Sequence, residues 1–165
     1  MDQRQKFILY MRNFIFGAED SLISTVGLLS GVASAGVASG QIVVTGAILI
    51  FVEAFSMSVG SFLSERTTEE ASSHFSRAKS RSMQAAVVMF FSYLVCGFIP
   101  LAPYVFFSGA GAFYGSIIAS LIALFILGLV SAEILHVPLK RNALRMFFMG
   151  GSAVLLGVLI GQLVN

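Results

Sequence analysis

Apolar residues along the chain gather into five long runs, approximately Phe14 to Gly36, Ile42 to Ser64, Gln84 to Phe107, Phe113 to Leu135 and Leu144 to Val164. Each is about 20 residues, the length an α-helix needs to cross roughly 30 Å of hydrocarbon. No stretch shows the period-two alternation of a membrane barrel strand. The pattern predicts an all-α membrane protein with a single five-span transmembrane domain over residues 1–165 and a short connector at 65–83. Pro100 and Pro103, near the end of the third run, should kink that helix, with neighbours taking up the freed carbonyls.

The polar positions between the runs add an orientation. The connectors Val37–Gln41 and Ser108–Ala112 are short and uncharged. Arg4, Lys6 and Arg12 precede the first span, Arg66, Arg77, Lys79 and Arg81 join the second to the third, and Lys140, Arg141 and Arg145 join the fourth to the fifth. All 10 basic residues therefore fall on one side, which the positive-inside rule makes cytoplasmic, with the N-terminus inside and Asn165 outside. A cleaved leader ending near Ala33-Ser34-Ala35 is not expected, because Glu19 and Asp20 interrupt its would-be apolar core.

Composition excludes other classes. Charged residues make up 11% of the chain and hydrophobic ones 57%, against about 25% charged in ordinary globular domains, so much of the surface faces something other than water. The net charge of +2 offers no surface for nucleic acid, and the single cysteine, Cys96, has no partner for a disulfide scaffold. There is no phosphate loop, no CxxC and no Ser-His-Asp set, so no enzyme is expected.

The acids carry the chemistry. Glu19 and Asp20 in the first span and Glu53 in the second lie inside apolar runs, where a charge costs about 3 kcal/mol or more and normally faces the bundle interior. At about 100° per residue, Asn13, Ser24, Gly27, Gly31 and Ser34 share the stripe of Asp20, while Gly46, Met57, Gly60 and Ser64 share that of Glu53. Asp20 lies eight residues from Arg12 and Met57 eight from Glu65, so both sit roughly 12 Å inward and can share a layer. Glu53 lies one turn further out, level with Ser24. Carboxylates alone would suit magnesium or calcium, but a thioether among them favours a softer first-row divalent ion: ferrous iron, with manganese, cobalt and zinc also open.

Several of these residues have plainer readings. Met57 could simply fill space, and Gly27 and Gly31, like Gly157 and Gly161, could serve close packing of helices or a dimer contact. Glu19 lies about 100° from Asp20 and is placed at the cytoplasmic mouth rather than in the same site. In the connector, Glu65 with Glu69 and Glu70 with His74 are i, i+4 pairs that could collect metal at an entrance or form a solvated charged face.

The first span, RNFIFGAEDSLISTVGLLSGVASAG, the second-span segment EAFSMSVGSFLSER and the tail LKRNALRMFFMGGSAVLLGVLIGQLVN together resemble the vacuolar iron transporter family. The resemblance covers essentially the whole chain. It implies a homodimer of five-span protomers, a ferrous-iron route lined by first-span helices at the dimer interface, and proton-coupled export from the cytosol. It also implies the cell membrane in a prokaryote or the vacuolar membrane in a eukaryote. Asp20 matches the family's intramembrane Asp and Met57 its second-span Met, whereas Glu53 rests on the wheel and depth argument. Many members carry a long acidic helical domain between the second and third spans. Here about 20 residues join them, and Glu65, Glu69, Glu70 and His74 would be its remnant.

The expected activity is export of ferrous iron or a related divalent metal by proton antiport, with no permanently bound cofactor. A divalent ion binds only the deprotonated carboxylate, so metal and protons compete for one site. Two alternatives fit the same residues: a non-transporting membrane assembly module, and a proton-coupled transporter of a non-metal solute.

Overall fold

The computed structural model describes residues 3–71 and 78–164 and contains five helices: α1 (Gln3–Ser34), α2 (Ser39–Ala71), α3 (Ala78–Phe106), α4 (Ala110–Leu135) and α5 (Leu139–Val164). All five are long and apolar enough to cross a membrane, and no strand occurs among the described residues. The protein is an all-α integral membrane protein, as the apolar runs predict.

Four helices, α1, α2, α3 and α5, outrun their apolar stretches at the basic end of the bundle. No Gly or Pro interrupts residues 3–13 or 61–71, and their Gln, Arg, Lys and Glu are good helix formers, so α1 and α2 continue beyond the hydrocarbon length. α5 begins at Leu139, directly after Pro138, whose carbonyl accepts the Asn142 N–H. Lys140, Arg141 and Arg145 are thus the first two turns of a helix rather than a loop.

The tight connections have a common physical form. At the end of α1, Val37 N–H bonds to Val32 O and Gly36 N–H to Ala33 O, with Gly36 at φ 77°, a position where glycine carries no steric cost. The end of α4 repeats this arrangement: Val137 N–H bonds to Ala132 O and His136 N–H to Glu133 O, with His136 at φ 53°. α3 runs unbroken through Pro100 and Pro103, and Ser116 Oγ of α4 donates to Pro100 O at 2.7 Å.

α1 is the central helix and touches all four others, while α2 packs chiefly on α3. The interior mixes small and hydroxyl-bearing side chains with two apolar clusters, one of Leu29, Ile42, Ile50, Leu101 and Tyr104 and one of Ile15, Leu22, Leu124 and Met146. Ser21, Thr25, Ser30, Ser92, Ser116, Ser120 and Ser131 are buried, whereas Phe55, Phe91, Val95, Leu155, Leu159 and Ile160 lie on the outside. Lipid tails are as apolar as leucine, so helices associate here through close packing and hydrogen bonds. The closest packing joins α1 to α5. A methyl at Gly157 would collide with Gly27 O, one at Gly161 with Gly31 O, and one at Gly31 would lie 2.9 Å from Gly157 O. The two glycine pairs flagged in the sequence meet each other within one chain. α5 is held to α4 by Asn142, whose Nδ2 donates to Gly128 O and to Ser131 Oγ, both at 2.8 Å.

Candidate functional site

At the basic end, polar side chains tie α1 to its neighbours. Arg12 forms an ion pair with Glu65 of α2, Ser61 Oγ donates to Asn13 Oδ1 at 2.6 Å, and the Tyr10 hydroxyl donates to Gln84 of α3. Glu65 is 8% exposed and its partner Arg12 is largely exposed, so the guanidinium reaches from the surface to a buried carboxylate. Removing one partner of such a pair leaves the other charge uncompensated. Arg12→Ala is therefore expected to lower the melting temperature in detergent, and Glu65→Gln in that background to recover part of the loss.

These bonds fix how α1 and α2 slide past each other. Counting from the Arg12–Glu65 pair sets Asp20 level with Met57, eight residues along each helix, and counting seven from the Asn13–Ser61 bond sets it level with Ala54. Asp20 accordingly lies at a level between Glu53 and Met57, one turn apart on α2, roughly 12 Å from the ion pair. Asp20 and Glu53 are close enough to interact electrostatically. Asp20, Glu53 and Met57 are all half-buried.

The remaining expected ligands separate into distinct places. Glu19 is half-buried and lies within electrostatic reach of both Arg145 on α5 and Asp20, so it has a cationic neighbour of its own. Glu65 is engaged by Arg12 rather than presented to solvent. Glu69 and Glu70 lie on the last turn of α2, where only the backbone is described, and His74 falls outside the described residues. Gly27 and Gly31 pack on Ala153 and Gly157 of α5, close helix packing within the protomer.

The side of the bundle that carries Asp20 and Glu53 is open. Phe16 on α1 is exposed, as are Ser56, Gly60 and Ser64 beside Met57 on α2, and a methyl at Gly60 would meet nothing within 4 Å. Among the described residues, no group of three or more His, Cys, Asp and Glu is placed to hold a metal ion. A single protomer offers two carboxylates and a thioether at this level.

Sequence reasoning missed the residues that brace this site. Tyr93 of α3 is fully buried, and its hydroxyl lies 2.7 Å from Ser24 Oγ. Within an apolar run it reads as one more aromatic, and no spacing marks it. Asn13 stood on the Asp20 stripe, but its partner Ser61 is a serine on a different helix.

Five membrane-spanning helices, with two acids brought together inside the spans, define a multi-pass α-helical membrane protein of the bilayer. The model of the VIT family matches residues 11–77 and 67–162, which together take in nearly the whole chain. The chain belongs to that family, the vacuolar iron transporter family its sequence resembles, and the family is one of membrane metal-ion transporters. The two matched stretches overlap at residues 67–77, which begin on the end of α2 and stop just before α3. No match is found among curated proteins.

Proposed function

We propose that the protein exports ferrous iron, or manganese, cobalt or zinc, from the cytosol in exchange for protons, at a site made by Asp20, Glu53 and Met57. The observation that carries this reading is the pairing of Asp20 with Glu53, half-buried, on a face of α1 and α2 that the protomer leaves open. Two carboxylates supply hard oxygen donors and Met57 a soft sulfur, a set that suits a borderline first-row ion. Each carboxylate must lose its proton to bind metal, so loading from one side and release to the other exchanges metal for protons. The basic end of the bundle faces the cytosol in this reading.

A second copy completes the site. Acids at membrane depth face a bundle interior or a water-filled path rather than lipid. Two protomers joined through the open α1–α2 face would enclose four carboxylates and two thioethers around one axis, which meets the shortage of ligands within a single chain.

The test is transport in proteoliposomes with ferrous iron, manganese, cobalt and zinc added in turn and a pH-sensitive dye inside. Metal entry with opposite proton movement is expected, and metal-independent proton movement alone would favour the non-metal solute reading. Met57→Leu is expected to keep transport but shift preference away from iron toward manganese, because the oxygen donors remain and the sulfur is lost. The relative half-saturating concentrations of the two ions measure that shift.

A further inference from the structure

The Asp20 level is backed by a hydroxyl pair that the proposed ligand set does not use. Tyr93 is the largest fully buried side chain among the described residues, and it is held at both ends by α1. Ser21 Oγ donates to the Tyr93 carbonyl oxygen at 2.6 Å, and the Tyr93 hydroxyl lies 2.7 Å from Ser24 Oγ. The helices come close enough for this because Gly97, one turn beyond Tyr93, has no side chain: a methyl there would lie 2.8 Å from Ser21 Oγ and 2.8 Å from Ile50. The Tyr93 hydroxyl is also within electrostatic reach of both Asp20 and Glu53.

Ser24 differs from the buried hydroxyls of α1 and, unlike Ser34 further along the same stripe, lies next to the Asp20 level. Ser21, Thr25 and Ser30 are buried in the bundle, whereas Ser24 is half-buried on the Asp20 stripe, one turn beyond Asp20. Its alternative partner on its own helix, Ser21 O, lies at 3.5 Å, the limit of a hydrogen bond, so the contact with Tyr93 governs where its hydroxyl points. Either atom of the pair can donate. In both cases Ser24 Oγ keeps at least one free lone pair, because a serine hydroxyl has two and the bond uses at most one. A phenylalanine would fill the same apolar space, so the hydroxyl of Tyr93 is spent on orienting Ser24.

We infer that Tyr93 is a positioning residue that holds Ser24 Oγ as a neutral oxygen ligand for the metal ion at the Asp20–Glu53 level. The inference rests on the transport reading and adds to it a donor that carries no charge and takes up no proton. Such a ligand strengthens metal binding while leaving the proton count to the carboxylates. Its loss should therefore weaken binding without altering how many protons move per metal.

The experiment measures metal uptake and proton movement in proteoliposomes for wild type, Tyr93→Phe, Ser24→Ala and the double variant. Each single variant is expected to raise the half-saturating metal concentration about tenfold, with maximal rate and protons per metal unchanged. The double variant should be no worse than either single one, because both remove the same oriented donor. Unchanged half-saturation, additive losses, or a lower maximal rate with unchanged half-saturation would each overturn the inference, since a purely structural bond gives those results. If Tyr93→Phe fails to accumulate in the membrane, Ser24→Ala decides by the same criteria. A wild type that moves no metal overturns the transport reading, and this inference with it. A wild type that transports beside an unaltered Ser24→Ala overturns this inference alone.

Discussion

Asp20→Ala is expected to abolish metal-driven proton flux, a loss of about 100-fold or more, corresponding to about 2.7 kcal/mol. Asp20 is the one acid that α1 presents to Glu53, at the level set by the Arg12–Glu65 and Asn13–Ser61 bonds. Removing it takes away a charged ligand and a proton carrier together. Asp20→Asn should fail as completely, because the amide keeps the shape and one oxygen but neither charge nor proton exchange. Asp20→Glu should retain part of the flux. Proton competition also sets the sign of the pH effect: the half-saturating metal concentration should rise as the pH on the loading side falls. Counterflow measured with an internal pH dye checks all of this, and wild-type flux in Asp20→Ala would sink the assignment.

Gly157→Ala is the second large effect, and it falls on stability. The added methyl would collide with Gly27 O and lie 3.0 Å from Gly27 C and 3.2 Å from Gly31 N, all backbone atoms that cannot rotate aside. α1 and α5 must then separate and lose their mutual contacts. Overpacking of this kind costs about 2–3 kcal/mol, a fall of roughly 5–10 °C in melting temperature for a chain this long. Gly151→Ala is the control on the same helix. A methyl there meets nothing within 4 Å, and alanine favours the helix by about 1 kcal/mol, so the melting temperature should hold or rise. Thermal unfolding of both variants in detergent separates packing from propensity.

Much of the fold could be read from sequence because membrane crossing imposes a length on every helix. Gly36 and Pro138 mark where chain direction changes, and both stand at helix ends in the structure. Boundaries at the basic end were less visible. A hydropathy run ends where charge begins, whereas a helix ends only where its backbone bonds fail, so α1 and α2 extend further than their apolar runs. The candidate site shows a similar division. The wheel put Asp20 and Glu53 each on a polar stripe, which depends on one helix at a time, but the expected inward direction is not what a single protomer shows: both acids are half-buried on its open face. Nor could the wheel say that the Glu65 carboxylate turns to Arg12, that Gly31 faces Gly157, or that Tyr93 reaches Ser24. Each of those depends on the axial offset and rotation of two helices, which no single-helix pattern contains.

The serine-rich interior also bears on what a change of solvent would demand of this chain. The residues that specify how the helices meet, Ser21, Ser116, Asn142 and the paired glycines of α1 and α5, act through contact and hydrogen bonding. The apolar side chains on the outside, Phe55, Phe91, Leu155 and Leu159 among them, specify little beyond the medium. Instructions for assembly and for surroundings are thus written on separate residues. The outer coat could be rewritten with polar side chains for life in water while the recognition code between helices stayed as it is.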